Sequence, residues 1–309
     1  MKGAVYLTEA AVERLLTMPA AIEAVEEAFR KLAEGQATNV PRSRAKAPGI
    51  VLHTMSAAAP YLGLVGWKCY TTTRHGALFH VGVYDAESGR PKALIEGDLL
   101  GQMRTGAATA VAAKWMALPD ADQLGLFGTG WQARSQLAAV AAVRPIKQAF
   151  VYSRAVARRA QFAEEMSAKL SLTVTAVDEP QQAAENLPIV ITATSSSTPV
   201  LEGQWLSAGT FVAAVGSNWL NKAEIDVNVV RRADLIVCDS VEGCRGEAGD
   251  FVAATEQNVF KWDQAVELAD IVSGRATGRR DAADIVLFKS VGMAIEDLAV
   301  ASRVLAELK

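Results

Sequence analysis

The 309-residue chain is poor in the residues that mark several protein classes. It has three cysteines, Cys69, Cys238 and Cys244, scattered and with no C-x-x-C pair. That gives neither a disulfide framework nor a zinc ribbon, and reduced thiols are expected. The three histidines, His53, His75 and His80, lack the spacing of a metal pair on one helix turn, so no metal site is expected. No apolar run approaches the roughly 20 residues of a membrane span. Leu137-Ala-Ala-Val-Ala-Ala-Val143 is among the longest. The formal net charge is −3 with the two signs well mixed, which offers no basic face to a nucleic acid. The opening residues carry Glu9 and Glu13 and no long apolar segment. A secretory signal is therefore not expected, and a cytoplasmic location is.

What the chain does have is one organising stretch, Asp122 to Arg134. A short apolar run, Leu124 to Phe127, ends in Gly128-Thr129-Gly130-Trp131-Gln132-Ala133, and a helical pattern follows. Strand, glycine turn and helix in that order make the G-x-G-x-x-A dinucleotide fingerprint. Gly128 permits the turn, Gly130 lets a pyrophosphate approach the backbone, and Ala133 allows close helix packing. The N–H groups and partial positive charge of the helix start then face the phosphates.

Before this stretch, residues 8–34 have the three- and four-residue spacing of one helix, stopped by Gly35. The basic, extended segment Pro41 to Pro48 carries Arg42, Arg44 and Lys46. Apolar runs at 50–53, 62–70, 79–84 and 93–96 read as strands joined by hairpins. The small-residue segment 101–117 reads as helix former, and Pro119-Asp-Ala-Asp122 as a linker. After the fingerprint, strands are expected at 148–153, 172–177, 189–193, 210–215, 235–237 and 284–288. Helical patterns at 155–169, 183–186 and 223–232 lie between them. Repeated βα units predict a parallel, doubly wound Rossmann sheet. A last amphipathic helix, 293–308, is expected to return to the first domain.

The second strand of the nucleotide fold decides the cofactor. In NAD-type folds it ends in an acid that binds the ribose hydroxyls. Here it ends Val151-Tyr152-Ser153-Arg154, with Arg158 and Arg159 close behind. Serine and arginine accept the 2′-phosphate that an acid repels, so NADP(H) is favoured and NAD(H) is the alternative.

Six stretches together resemble the ornithine cyclodeaminase/mu-crystallin family over essentially the whole chain: Gly66-Trp-Lys-Cys69, Met103-Arg-Thr-Gly-Ala-Ala-Thr-Ala110, Phe127 to Ala133, Thr192-Ala-Thr-Ser-Ser196, Val215-Gly-Ser-Asn218 and Phe288-Lys-Ser-Val-Gly-Met-Ala-Ile-Glu-Asp-Leu-Ala299. The resemblance implies an α/β protein. Its α+β substrate-binding and dimerisation domain comes from residues 1–117 and 290–309, around an inserted NAD(P)-binding Rossmann domain, 118–289. It implies a homodimer. It also implies one of four activities: cyclic ketimine reduction, amino-acid dehydrogenation of the alanine dehydrogenase kind, ornithine cyclodeamination, or non-catalytic NADPH-dependent ligand binding of mu-crystallin type.

By the same resemblance Arg104 grips the substrate carboxylate, as a guanidinium fork is shaped to do. Lys68 stands beside the carbonyl or imine, where an ammonium polarises it or delivers a proton. Arg44, or else Arg42, is the second carboxylate contact, and His80 borders the substrate. Thr105 and the helix start after it face cofactor phosphate. Thr194 and Ser195, at the carboxyl edge of a central strand, join Val215, Ser217 and Ser290 along the cofactor. Arg154 and Arg158 take the adenosine end. Asn218 is a departure, since the cyclodeaminases have an aspartate there. Asparagine orients a nitrogen but exchanges no proton near neutral pH. Cyclodeamination needs several proton transfers, whereas reducing a ready-made C=N bond needs one hydride and one proton. The expected substrate is therefore a small imino or amino acid, with a cyclic ketimine acid such as pyrroline- or piperideine-2-carboxylate foremost.

Overall fold

The computed structural model describes residues 3–308. In chain order its elements are β1 (Val5–Leu7), α1 (Glu9–Leu15), α2 (Met18–Ala33), β2 (Thr38–Ala47), β3 (Ile50–Ala59), β4 (Leu64–Thr73), β5 (Gly76–Asp85), β6 (Pro91–Glu96) and α3 (Asp98–Met116). There follow β7 (Gln123–Phe127), α4 (Trp131–Ala141), β8 (Gln148–Tyr152), α5 (Val156–Leu170), β9 (Thr173–Ala176), β10 (Ile189–Thr192), β11 (Phe211–Ala214), α6 (Val227–Arg232) and β12 (Leu235–Cys238). The chain closes with α7 (Val241–Glu247), α8 (Val252–Glu256), β13 (Val266–Glu267), α9 (Leu268–Val272), β14 (Val286–Lys289) and α10 (Ala294–Ala306). None of these helices is long and apolar enough to cross a membrane.

The chain divides into two compact units, one running to Ala108 and resuming at Gly292, the other Thr109–Val291. The division falls inside α3 rather than at the Pro119 linker. The middle of α3 is buried on every side, with Ala107, Ala108, Ala110, Val111, Ala112 and Ala113 all at 0% exposure, so nothing in its composition there marks a boundary.

In the first unit, β2 to β6 form an antiparallel meander and β1 adds to β6 in parallel, in the order β1-β6-β5-β4-β3-β2. α10 packs on α2 and across β3 and β4. Its Leu298 lies against Gly66, where a methyl group would stand 2.8 Å from Leu298 Cδ1. The single N-terminal helix expected is two helices. Pro19 lies in the first turn of α2 and Thr17 caps it, accepting from the Ala20 amide at 3.4 Å. A proline suits a first turn and disrupts a helix interior.

The second unit holds eight strands, all parallel, in the order β13-β12-β14-β11-β10-β7-β8-β9. β10, β11 and β14 are buried along their whole length, as strands covered on both faces must be. The chain leaves β7 for β8 and β9 on one side and returns beside β7 with β10. This makes the carboxyl ends of β7 and β10 a topological switch point, the usual place for a ligand in such sheets.

Candidate active site

The glycine turn stands at that switch point. Gly128 has φ +111°, and any side chain on it would collide with the Ala193 carbonyl at the end of β10. Gly130 is the N-cap of α4 and supplies no side-chain cap, so no side chain on the cap competes for the first amides of the helix. A methyl group on Gly130 would meet nothing within 4 Å, so the lip of the turn is open. Ala133 is fully buried under it. Arg134, held by Glu165 at 2.8 Å, donates to the Gly130 carbonyl at 3.1 Å and ties the turn to its helix. An uncapped helix start with an open glycine lip at the switch point fits a dinucleotide pyrophosphate. Thr129 reaches the end of β8, where its hydroxyl meets Ser153 Oγ at 3.3 Å. Trp131 is half-exposed and Gln132 half-buried beside them.

Around Ser153 the arginines separate. Arg154 and Arg158 are exposed. Arg159 is buried, donates to the Ser153 carbonyl at 3.1 Å, pairs with Asp178 and lies over the Tyr152 ring at 5.7 Å. It braces the strand end from beneath.

The loops after β10 and β11 are tied together by an acid the sequence reading did not single out. Glu224, fully buried, accepts from the Thr194 and Gly216 amides, each at 2.6 Å, and from the Thr192 hydroxyl at 3.1 Å. Lys289 lies 2.7 Å from Asp250 and donates to the Ser217 carbonyl at 2.8 Å. Burial pulls the Lys289 ammonium downward, but Asp250 and Glu224 hold it above the usual value. Ser290 donates to Asp239 at 2.8 Å, so its hydroxyl anchors the end of β14. Ser217 is buried, its hydroxyl reaching the Lys222 carbonyl at 3.4 Å, while Val215 and Asn218 are half-buried and Ser195 is exposed. Ser217 and Ser290 thus have structural partners, the Thr194 amide is held by the acid, and the Val215 amide donates to the Thr192 carbonyl at 3.0 Å.

In the first unit, Lys68 and Arg104 are brought together. Lys68 lies mid-strand in β4 at 3% exposure, and Arg104 lies in α3 at 7%. Both meet α10. Lys68 Nζ donates to Asp297 Oδ1 at 2.8 Å, Arg104 Nε to the same oxygen at 3.2 Å, and Arg104 Nη1 to Glu296 Oε2 at 2.8 Å. Two glycines make room. A methyl group on Gly101 would stand 2.6 Å from Lys68 Nζ, and one on Gly292, at φ +83°, 2.5 Å from Arg104 Nη1. Arg42 reaches the Gly292 carbonyl at 3.5 Å and lies over the Tyr70 ring at 6.0 Å. Burial lowers Lys68 to about 8; Asp297 opposes the shift, and Arg104 and Arg42 add to it. In this unit the sequence signals passed over Asp297 and Glu296. The available signal was two adjacent acids opening a helix otherwise fit for burial, within the Phe288–Ala299 stretch.

Two expectations about this unit are corrected. His80 does not share the face of Lys68. In the β4–β5 register Lys68 pairs with Val81 and His80 with Cys69, and successive side chains alternate faces. The histidine on the face of Lys68 is His53, at 1% exposure, stacked on Tyr70 at 4.2 Å and opposite Arg44 in the β2–β3 register. Burial, then Arg44 and Arg42, lower it to about 4. Thr105 does not precede a helix start. α3 begins at Asp98, Thr105 is inside it, and its hydroxyl donates to the Gly101 carbonyl at 2.7 Å. The small-residue run simply extends the helix further back than expected.

A Rossmann sheet with an uncapped glycine turn, in a chain whose other unit carries a buried lysine–arginine pair, defines a dinucleotide-binding protein of the dehydrogenase type. The chain belongs to the ornithine cyclodeaminase/mu-crystallin family, whose profile matches residues 3–309. A Δ1-pyrroline-2-carboxylate reductase from Thermococcus litoralis, solved with NADH and L-proline, is 34% identical with a TM-score of 0.93, over 98% of this chain and 96% of that one. A Δ1-pyrroline-2-carboxylate reductase from Bacillus cereus is 34% identical over 218 residues, 70% of this chain and 67% of the relative. An archaeal alanine dehydrogenase, solved as a dimer with bound NAD, is 28% identical with a TM-score of 0.92, over 98% and 95% of the two chains.

Proposed function

We propose that the chain is an NAD(P)H-dependent reductase of a C=N bond next to a carboxylate, with a cyclic ketimine acid as substrate and amino-acid oxidation as the reverse reaction. The observation that carries this reading is the buried convergence of Lys68 and Arg104 on Asp297 in a member of this family. A lone buried lysine is costly, and one held near neutral titration beside a guanidinium suits proton delivery next to a bound carboxylate. The reductase activity of the two pyrroline-2-carboxylate reductases supports the same reaction here.

A nicotinamide cofactor, when bound, would supply the hydride for the imine carbon. Arg104, aided by Arg44 or Arg42, holds the substrate carboxylate. Lys68 places its ammonium at the nitrogen and gives up one proton as the C=N bond is reduced. Asn218 orients that nitrogen without exchanging a proton. The second unit binds the cofactor through the glycine turn. Ser153, Arg154 and Arg158 favour NADP(H), although the Thermococcus and archaeal relatives carry NADH and NAD. The first unit binds substrate and forms the contact of a homodimer. β2 is an edge strand, and Val40, Ile50 and Leu52 on β2 and β3 are exposed at 55%, 40% and 38%. The archaeal alanine dehydrogenase is itself a dimer.

The test is a panel of cyclic imino acids, and of 2-oxo acids with ammonium or amines, with NADPH and NADH, followed by loss of reduced-nicotinamide absorbance. Consumption with a cyclic imino acid is expected, and none across the panel ends the reading. Ornithine with NAD is run beside it. Ammonia and proline without net cofactor change would establish a cyclodeaminase instead. Tight ligand binding without turnover would establish the mu-crystallin-type binder. The Asn218→Asp variant in the same assay shows whether the asparagine is what withholds ammonia release.

A further inference from the structure

We propose that Asp297 is the positioning residue of this site: its Oδ1 sets the spacing between the Lys68 ammonium, offered to the substrate nitrogen, and the Arg104 guanidinium, offered to the substrate carboxylate. The inference rests on the reaction proposed above and assigns a role to a residue that does not itself touch substrate.

Three observations carry it. One carboxylate oxygen accepts from both cations, at 2.8 and 3.2 Å, although Lys68 lies on β4 and Arg104 on α3. Glu296 bonds Arg104 through Nη1. The second oxygen, Asp297 Oδ2, is buried with no hydrogen-bond partner among the described residues. The carboxylate is turned toward the two cations through Oδ1. Finally, Gly101 and Gly292 keep the surrounding space clear. A methyl group on the first would crowd Lys68 Nζ, and one on the second would crowd the Arg104 guanidinium.

The groups around Lys68 are few. Asp297 faces it from α10, Arg104 from α3 and Arg42 from β2, and His53 of β3 lies on the same face of the sheet. Met55 of β3 and Val81 of β5 are its cross-strand partners, and the Phe79 ring lies 5.4 Å from Nζ. Asp297 is the acid in direct contact. Its charge holds the ammonium against burial and the two guanidinium groups. Neutralising it lets the lysine lose its proton at lower pH.

The experiment compares Asp297→Asn, Glu296→Gln and Lys68→Met in pH profiles of the reductase assay, with NADH or NADPH binding followed separately by fluorescence. The proposal expects Asp297→Asn to keep cofactor binding and to move the alkaline limb of kcat/KM down by about 1–3 pH units. Glu296→Gln is expected to raise KM and leave that limb in place. Asp297→Glu, which keeps the charge but shifts it, is expected to restore the limb while leaving kcat low. An unmoved limb in Asp297→Asn, with Lys68→Met inactive, overturns the inference while leaving the reaction standing. An active Lys68→Met removes the proposed reaction mechanism itself, and the inference with it. If Asp297→Asn loses its cooperative melt, Gly101→Ala reads the same contact from the lysine side. Its methyl group separates Nζ from Asp297, and the same downward shift is expected. No shift in that variant overturns the proposal.

Discussion

Gly292 offers a quantitative test of how the backbone serves Arg104. It has φ +83°, and an alanine there would place its methyl 2.5 Å from Nη1 and 2.9 Å from Nη2 of Arg104. Two costs follow. The left-handed conformation costs a non-glycine residue roughly 1–2 kcal/mol. The methyl also forces the guanidinium to move and puts its bond to Glu296, 2.8 Å long, at risk. A hydrogen bond to a charged group is worth about 1.5–3 kcal/mol. Gly274 supplies the control, because it has φ +78° but nothing within 4 Å of the methyl position. Gly274→Ala is expected to cost about 1–2 kcal/mol in urea denaturation and to leave kinetics unchanged. Gly292→Ala is expected to cost that plus about 1.5–3 kcal/mol, for a total of roughly 2.5–5 kcal/mol. If the same bond orients the carboxylate grip, kcat/KM for the imino acid falls by about 10- to 150-fold, at about 1.4 kcal/mol per tenfold. Cofactor affinity is expected to stay the same. Equal stability losses in the two variants, or an unchanged kcat/KM in Gly292→Ala, would refute the claim that this glycine exists to seat Arg104.

Other outcomes follow from the same geometry. His53 is buried and titrates at about 4 in the fold against 6.5 unfolded, so below pH 6.5 the unfolded chain binds the proton first and stability is lost down to the folded value. Urea denaturation is expected to show about 2 kcal/mol lost between about pH 7 and about pH 5 that His53→Gln does not lose. Arg154→Ser is expected to weaken NADPH by about tenfold and leave NADH unaffected, measured as the ratio of their KM values. Equal effects on both coenzymes would remove Arg154 from 2′-phosphate recognition. Glu224→Gln takes the charge from the carboxylate that holds the Thr194 and Gly216 amides at 2.6 Å, and is expected to raise the coenzyme KM more than the imino-acid KM. The reverse order would show that the two loops do not serve the coenzyme.

Local signals were legible in the sequence because they depend on neighbours in the chain. Glycine spacing, apolar runs and their alternation with helical patterns identified the nucleotide turn and most of the parallel strands. The same logic placed Lys68 within a strand and Arg104 within a small-residue helix. The second helix of the N-terminal pair was hidden by a spacing pattern that ran on through Pro19.

Contacts made across long separations were not legible. Asp297 lies 229 residues from Lys68 and 193 from Arg104, and only the return of α10 over β4 brings the three together. The choice between His53 and His80 turned on one step of strand register, since a shift by one residue reverses which face a side chain occupies. Arg159 and Arg158 are adjacent in sequence, yet one is buried under Ser153 and the other faces water, because a helix turns about 100° per residue. Which polar groups the chain carries, and which segments can become strand or helix, was thus set by the sequence alone. Which cation meets which acid was decided by tertiary packing, because burial makes an unpaired charge too costly and only the folded arrangement determines which partners are within reach.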